Sequence, residues 1–370
     1  MRRPRFTPLV EAIPATVPFV APDALLRRGH RIEVRLGANE SAFGVAPRAA
    51  EAMARAVPHQ NWYADPESFE LRAKLAGLLG VTEQHLLVGS GIDDLLGLVV
   101  RCFVAPGEVA VMARGSYPTF AYHVVGHGGL VEAVPYRDDA VDLEALAEAA
   151  TRRRARVVYL ANPDNPSGSW HTPQSVEALV ERLPADCLLL LDEAYLEFAP
   201  RAPELSADDP RVLRVRTFSK LYGMAGARIG YAVGPPEIVA TFHKVRLHFG
   251  VNGVAQAGAL AALDDVAFAT SVIAEVARGR QAYAALGREL GLPTLPSATN
   301  FVLFDVGGAA RARALLDALL AEGIFIRMPG APPLDRAVRV TVGTADERAR
   351  FASALRGMRA DGRLAALGAG

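Results

Sequence analysis

The segment CLLLLDEAY, residues 187–195, predicts a buried strand that ends directly before acidic side chains. An unbroken leucine run of this length is typical of a strand in a parallel sheet that is covered on both faces. Similar runs alternate with segments of helical period, which is the pattern of βαβ units. We predict strands over 85–88, 109–113, 156–160, 187–191, 211–216 and 229–233, and helices over 66–80, 92–103, 118–126, 142–154 and 173–183. The sequence therefore predicts an α/β fold with a mostly parallel, doubly wound sheet.

The texture of the chain changes near residue 255. Two alanine-rich helical patterns and two strand-like runs follow, over about 254–290, 309–322, 300–306 and 339–343. These patterns predict a second, smaller α+β domain, onto which the proline-rich first 45 residues would pack. We therefore expect a large α/β domain over 45–255 and a small domain formed by 1–44 and 256–370.

The composition favours a small-molecule partner. The 370 residues are 51% hydrophobic and include 40 basic and 40 acidic side chains, so the formal net charge is zero. A neutral surface does not attract nucleic acid or an anionic membrane, and we expect neither as a partner. Cys102 and Cys187 lie in apolar runs and predict neither a metal site nor a secreted fold. Prolines interrupt any N-terminal export signal and no apolar stretch reaches roughly 20 residues, so we expect a cytoplasmic protein.

Polar groups follow four of the predicted strands. In an open α/β sheet, ligands bind outside the carboxyl ends of the strands, so these groups are expected to meet at one edge. The segment 89–94, GSGIDD, leads into a helix and offers free backbone N–H groups suited to a phosphate. The other strands are followed by the loop NPDNPSG (162–168), by Asp192, and by TFSK (217–220).

The lysines sharpen this prediction. The chain has only three, and Lys74 and Lys244 lie in ordinary amphipathic helical patterns. Lys220 alone follows a strand, in a loop rich in hydroxyl groups. An arginine-rich chain that keeps an amine at this position has a group that can lose a proton and form an imine, which guanidinium cannot do.

An imine-forming lysine, a phosphate nest and a buried carboxylate together indicate pyridoxal 5'-phosphate as the cofactor. This cofactor needs a protonated ring nitrogen, which Asp192 would maintain. Asn165 and Tyr195 would donate to the ring hydroxyl, and Phe120 would stack on the ring. The groups predicted to hold the phosphate are Gly91, the amides of Ile92 and Asp93, and the side chains of Thr217, Ser219 and Arg228.

Other interpretations of these motifs are weaker. Asp192 after the leucine run resembles a Walker B strand, but the chain has no GK[ST] loop. Gly89-x-Gly91 resembles the start of a dinucleotide fingerprint, but Asp94 stands where the third glycine belongs. His123 and His127 lack an acidic third ligand on their helix, so we predict no metal site.

The chain resembles the fold-type I pyridoxal phosphate aminotransferases, and among them the histidinol-phosphate aminotransferase group. The matching segments, in order, are YADPESFELRAKLA, SYPTF, NPDNPSG, LLLLDEAYLEF, TFSKLYGMAGARIGY, PSATNFVLF, GIFIR and RVTVG. The resemblance implies that Lys220 is the Schiff-base lysine and that Asp192 and Tyr195 also act in catalysis. It implies that Tyr63 reaches the phosphate from a neighbouring subunit, and hence a homodimer.

On the substrate side, the resemblance implies that Arg339 holds an acidic group, with Arg327 close by, and that Asn39 and Phe19 also contact the substrate. The implied reaction transfers an amino group between histidinol phosphate, or an aromatic or related amino acid, and a 2-oxo acid such as 2-oxoglutarate. Phe19 in PFVAP (18–22) stands where the family has a tyrosine, and the loop 248–253 is altered. Two alternatives therefore stay open. One is a related enzyme that acts on another amine or decarboxylates, of the threonine-phosphate decarboxylase type. The other is a non-catalytic cofactor-binding module.

Overall fold

A computed structural model describes residues 4–14 and 22–367. Its strands, in chain order, are β1 (Val34–Arg35), β2 (Leu86–Gly89), β3 (Val109–Ala113), β4 (Leu130–Val134), β5 (Tyr136–Arg137), β6 (Ala140–Val141), β7 (Val157–Ala161), β8 (Leu188–Asp192), β9 (Val212–Thr217), β10 (Gly230–Val233), β11 (Phe301–Asp305), β12 (Ile324–Phe325) and β13 (Ala337–Thr341).

The α-helices surround these strands. In chain order they are α1 (Pro8–Ala12), α2 (Pro22–Arg27), α3 (Pro47–Ala56), α4 (Phe69–Leu79), α5 (Ile92–Phe103), α6 (Pro118–Gly126), α7 (Leu143–Arg153), α8 (Pro173–Arg182), α9 (Pro236–Phe242), α10 (Gly253–Ala262), α11 (Val266–Leu290), α12 (Ala309–Ala321), α13 (Ala345–Ala360) and α14 (Arg363–Ala366).

A seven-stranded sheet forms the centre of the larger body, in the order β2-β10-β9-β8-β7-β3-β4. Strand β10 is antiparallel to both of its neighbours, and the remaining pairs are parallel. Because β10 runs opposite to both β2 and β9, those two strands run in the same direction, and Gly89 and Thr217 both pair with Gly230. The ends of β2, β7, β8 and β9 therefore lie along one edge of the sheet. The predicted α/β fold is confirmed.

Both faces of this sheet are buried, as the leucine run predicts. Leu188 and Leu190 of β8 pack with α5, α6 and α9, whereas Leu189 and Leu191 pack with α7 and α8 on the opposite face. Alternate side chains of one strand thus enter two separate hydrophobic clusters. This two-sided burial explains why the strand reads as a continuous apolar run.

The smaller body is built around two strand pairs. Strands β11 and β13 are antiparallel, and β1 pairs in parallel with β12. In the second pair, a strand from the N-terminal segment lies beside a strand from the C-terminal region. Helices α11 and α13 cover β11 and β13 with a shared apolar cluster. The domain boundaries at residues 45 and 255 remain a prediction.

The sequence patterns missed some elements. Strand β4 was not predicted because it is an edge strand in which Leu130 is half exposed and Glu132 interrupts the apolar run. The single long helix predicted from residue 254 is two helices. They meet at an angle of 80° at a break that contains Asp265, whose carboxylate accepts a hydrogen bond from the Arg48 backbone N–H. Within the described ranges, no single helix is long and apolar enough to cross a membrane. The bent pair α10–α11 meets that test only when its two helices are taken together.

An aromatic cluster in the smaller body provides a test of this packing. The rings of Tyr283, Phe304 and Phe351 meet edge to face, with centroids 5.6–5.7 Å apart, and all three are fully buried. We expect Phe351→Ala to lower the free energy of unfolding by about 3–5 kcal/mol, because the cavity it leaves cannot close completely. Leu78→Ala, at an exposed helical position, is the control and should change it by less than about 0.5 kcal/mol. Urea denaturation of both variants measures the difference, and equal losses would contradict this packing.

Candidate active site

A cavity of about 1070 Å³ opens at the edge of the sheet where β2, β7, β8 and β9 end. It brings together residues that are far apart in the sequence and that the sequence analysis singled out. Those that line it are Asn39, Ile92, Asp93, Asn165, Asp192, Tyr195, Thr217, Ser219, Lys220, Arg228, Arg327 and Arg339. The cavity thus collects an amine, a carboxylate, amides and several cations at one edge of the sheet.

Asp192 is the last residue of β8 and is only 4% exposed. Its carboxylate accepts hydrogen bonds from the Tyr159 hydroxyl at 2.7 Å and from the Ala194 backbone N–H at 3.0 Å. Burial raises the pKa of Asp192 to about 6, and these two donors oppose that rise. Tyr159, which the sequence analysis did not select, therefore holds this carboxylate in place.

Lys220 lies in the loop that follows β9. Its Nζ donates to the backbone carbonyl of Asn39 at 3.0 Å and lies 5.6 Å from the centre of the Tyr195 ring. Burial, reinforced by the positive charge of Arg339, lowers the pKa of Lys220 to about 8. An amine with this pKa is readily deprotonated, which nucleophilic and proton-transfer chemistry requires.

The turn between β2 and α5 forms an anion-binding cradle. Gly91 has a φ of +86°, which favours glycine, and a Cβ placed on it would lie 2.6 Å from Arg228 Nη2 and displace this guanidinium. Helix α5 begins at the same place. Among the described residues, no side chain caps its N-terminus, so its first backbone N–H groups are available to an anion. Thr217 donates to the Ser219 hydroxyl at 2.9 Å on the neighbouring strand end. These donors fit a phosphate group.

Arg339, on β13, also lines the cavity. Its guanidinium donates to Asn165 Oδ1 at 2.5 Å and to the carbonyl of Gly37 at 3.1 Å. Within the part of the chain that the structure describes, its Nε has no hydrogen-bond partner. Arg327 pairs with Arg339 through the backbone, and burial lowers the pKa of both side chains. Two clustered cations with an unused donor form a suitable site for an acidic group.

The stacking of Phe120 on a cofactor ring stays a prediction. Phe120 is fully buried, does not line the cavity and lies against Tyr159, with ring centroids 4.9 Å apart. Helix α6 begins at Pro118, so its first turn directs Phe120 into the core. Tyr117, which precedes the helix, lines the cavity instead, and its hydroxyl donates to Asp93 Oδ1 at 2.9 Å. The position of Pro118 at a helix start is the signal that could have identified Tyr117.

Two other predicted residues lie outside the cavity wall. Gly91 stands behind it, where it makes room for Arg228. Tyr63 is 84% exposed and packs against the Phe249 ring at 4.6 Å, on the outer surface. Phe19 lies outside the described residues, so its proposed contact with a substrate stays a prediction.

The family comparison agrees with this geometry. The model of the family described as aminotransferase class I and II matches residues 31–355, which include every cavity-lining residue named above. The chain belongs to the aminotransferase class I and II family. The predicted enzyme class is therefore confirmed.

Individual aminotransferases resemble the chain along most of its length. Histidinol-phosphate aminotransferase 1 of Thiobacillus denitrificans is 40% identical over 331 residues, which cover 87% of this chain and 84% of that protein. The histidinol-phosphate aminotransferase of Symbiobacterium thermophilum is 37% identical and covers 89% of this chain and 91% of its own. Among solved structures, the histidinol-phosphate aminotransferase of Sinorhizobium meliloti in complex with pyridoxal-5'-phosphate has a TM-score of 0.92. It is 45% identical, over 96% of this chain and 99% of its own.

The burial of Asp192 in this aminotransferase predicts a pH-dependent gain in stability when its charge is removed. The folded chain holds the Asp192 proton up to about pH 6, whereas an unperturbed aspartate releases it near 3.8. The ionised carboxylate therefore destabilises the fold increasingly as the pH rises through this window. We expect Asp192→Asn to raise the stability of the cofactor-free protein by up to about 3 kcal/mol above pH 6 and by almost nothing near pH 4.

Thermal unfolding at several pH values measures this effect. Asp186→Asn, at a side chain that is 75% exposed, is the matched control and should change the free energy of unfolding by less than about 0.5 kcal/mol. A loss of stability in Asp192→Asn of the same size at every pH would contradict the role of burial.

Proposed function

We propose that this member of the aminotransferase class I and II family is a pyridoxal 5'-phosphate-dependent enzyme. It transfers the amino group of histidinol phosphate, or of an aromatic or related amino acid, to a 2-oxo acid such as 2-oxoglutarate. The observation that carries this proposal is the placement of Lys220 and Asp192 in one cavity beside the anion cradle. The 34–40% identity to several histidinol-phosphate aminotransferases supports histidinol phosphate as the substrate.

The donor set of the cavity fits this cofactor. The cradle formed by the α5 N-terminus, Ser219 and Arg228 would hold its phosphate, and Asp192 would keep its ring nitrogen protonated. Asn165 and Tyr195 would contact the ring hydroxyl. The stacking role predicted for Phe120 stays open, and Tyr117 is a second candidate for it because Tyr117 lines the cavity. When bound, the cofactor supplies an electron sink for the substrate's reacting carbon.

Lys220 carries the proton transfer. Its lowered pKa would let the free amine accept a proton from the reacting carbon of the substrate and then donate that proton back. General acid–base catalysis of this kind contributes typically ~10²–10⁴-fold to the rate. Arg339 and Arg327 would hold the acidic group of the substrate, and Asn39 would also contact the substrate.

The first test of this function is Lys220→Ala. We expect the purified protein with added pyridoxal phosphate to show a visible absorption band that L-histidinol phosphate discharges at low concentration. Lys220→Ala should lose this band and reduce multiple-turnover transamination by at least ~10²-fold. Lys244→Ala, on the protein surface, is the control because Lys244 lies away from the cavity.

Other outcomes of this test distinguish the alternatives. If phenylalanine or another amine discharges the band and histidinol phosphate does not, the substrate assignment is wrong. Release of carbon dioxide would indicate a decarboxylating enzyme. A wild-type protein that binds the cofactor without a visible band would favour a non-catalytic module.

We also propose that the protein is a homodimer in which Tyr63 contributes to the partner's site. Trp62, Tyr63, Leu247 and Phe249 are 53–84% exposed and form an apolar surface that a monomer would leave in water. The Ser90 hydroxyl, beside the anion cradle, donates to the Gly250 carbonyl at 2.5 Å, so this surface borders the cradle. A second copy on this surface would place an aromatic hydroxyl close to a phosphate.

The cytoplasmic location remains a prediction from the sequence.

A mixed dimer tests the origin of the tyrosine. Tyr63→Phe alone should weaken the affinity for pyridoxal phosphate by about 10-fold, because a hydrogen bond to a charged group is lost. A heterodimer of Tyr63→Phe with Lys220→Ala should contain one site with native affinity, since that site combines Lys220 of one chain with Tyr63 of the other. Titration with pyridoxal phosphate measures this site. Weak affinity in the mixed dimer would place Tyr63 in its own subunit's site, and a monomer in sedimentation would exclude the proposal.

A further inference from the structure

Asn39 has an unusual backbone conformation beside Lys220. It is a buried, non-glycine residue with a φ of +53°, in the left-handed region that most side chains avoid. A strained residue of this kind persists only where its surroundings hold it in place. The contacts around Asn39 therefore indicate the function of this conformation.

The carbonyl of Asn39 is directed at the amine of Lys220. Lys220 Nζ donates to this oxygen at 3.0 Å, and Nδ2 of the Asn39 side chain donates to the Tyr195 hydroxyl at 3.0 Å. One residue thus contacts both the amine and the phenol of the proposed site. The contact to the amine comes from the backbone, so it depends on the conformation of Asn39 rather than on its side chain.

Two buried side chains fix this conformation. The Thr341 hydroxyl accepts a hydrogen bond from the Asn39 backbone N–H at 3.1 Å and donates to its Oδ1 at 3.2 Å. Asn300 Nδ2 donates to the Asn39 carbonyl at 3.2 Å and to the Glu40 carbonyl at 3.4 Å. Thr341 and Asn300 come from segments about 300 and 260 positions away in the chain, respectively, and neither lines the cavity.

We propose that the Asn39 carbonyl is the acceptor that holds the free amine of Lys220, and that Thr341 and Asn300 are positioning residues that fix this carbonyl. The catalytic meaning of this contact rests on the proposed function, because Lys220 must be held between its periods of attachment to the cofactor. A lysine side chain has a flexible four-carbon stem, and a misplacement of its amine by 1 Å can reduce a rate by about 10²-fold. A fixed acceptor restricts the amine to one position.

The hydrogen bond between the Lys220 amine and the Asn39 carbonyl shifts the pKa of the amine in a direction that can be measured. A carbonyl that accepts from an ammonium group favours its charged form, so losing this hydrogen bond lowers the pKa of the amine. Thr341→Val keeps the shape of the side chain and removes both hydrogen bonds to Asn39. Thr341→Ser keeps the hydroxyl and is the matched control.

The experiment uses the small number of lysines. The cofactor-free protein is labelled with an amine-specific reagent at a series of pH values, and mass spectrometry measures the modification of Lys220, with Lys74 and Lys244 as internal references. We expect Thr341→Val to move the midpoint for Lys220 down by up to about one pH unit, which corresponds to a hydrogen bond to a charged group. Both reference lysines should keep their midpoints, as should Lys220 in Thr341→Ser.

A second variant guards against a folding defect. Asn300→Ala acts on the same carbonyl from another segment and should move the midpoint in the same direction. In both variants we expect kcat for transamination to fall about 10-fold with little change in KM. An unchanged Lys220 midpoint in folded Thr341→Val and Asn300→Ala would overturn the proposal, even if kcat falls. Because the labelling needs no cofactor, its result is independent of whether the wild-type protein transaminates histidinol phosphate.

Discussion

The burial of one carboxylate and one amine in the same cavity is the constraint on which the rest of the site depends. Water stabilises both Asp192 and Lys220 in their charged forms, and its exclusion moves their pKa values toward each other, to about 6 and about 8. Hydrogen bonds from Tyr159 and the Ala194 backbone N–H keep the pKa of the Asp192 carboxylate from rising further. The Asn39 carbonyl accepts a hydrogen bond from the Lys220 amine, and such a bond favours the charged form of an amine. Reactivity and stability are therefore in opposition at this edge of the sheet.

The sheet topology explains how such a site can form from distant segments. The residues that end β2, β7, β8 and β9 meet only because these four strands run in the same direction. Strand β10 lies between β2 and β9 and is antiparallel to both, so β2 and β9 keep a common direction. The hydrogen-bonded ladder fixes the spacing of the strand ends, so the side chains that follow them have little freedom. The protein groups proposed to hold the cofactor are therefore carried by rigid elements, which keeps them in the positions that the chemistry requires.

The sequence could predict the parts of the molecule in which the chemical pattern and the fold coincide. The buried strands were predictable because burial on both faces requires an apolar run, and Lys220 and Asp192 were predictable because polar groups directly follow such runs. Strand β4 was not, since an edge strand carries a mixed pattern. Which aromatic residue of SYPTF lines the cavity could not be predicted, because the motif contains two and only the start of α6 at Pro118 distinguishes Tyr117 from Phe120. The contacts of Asn39 with Thr341 and Asn300 could not be predicted, because nothing local links segments about 300 residues apart.

The two sides of the cavity are supported by different parts of the chain. The carboxylate, the amine and the anion cradle belong to the seven-stranded sheet, whereas Arg339 and Thr341 belong to β13, which also holds Gly37 and Asn39. A change on β13 can therefore alter the contacts to a substrate without moving Asp192 or the cradle. Lys220 is the exception, because its amine extends from the sheet to the Asn39 carbonyl, and the alignment of the two sides determines where that amine is held.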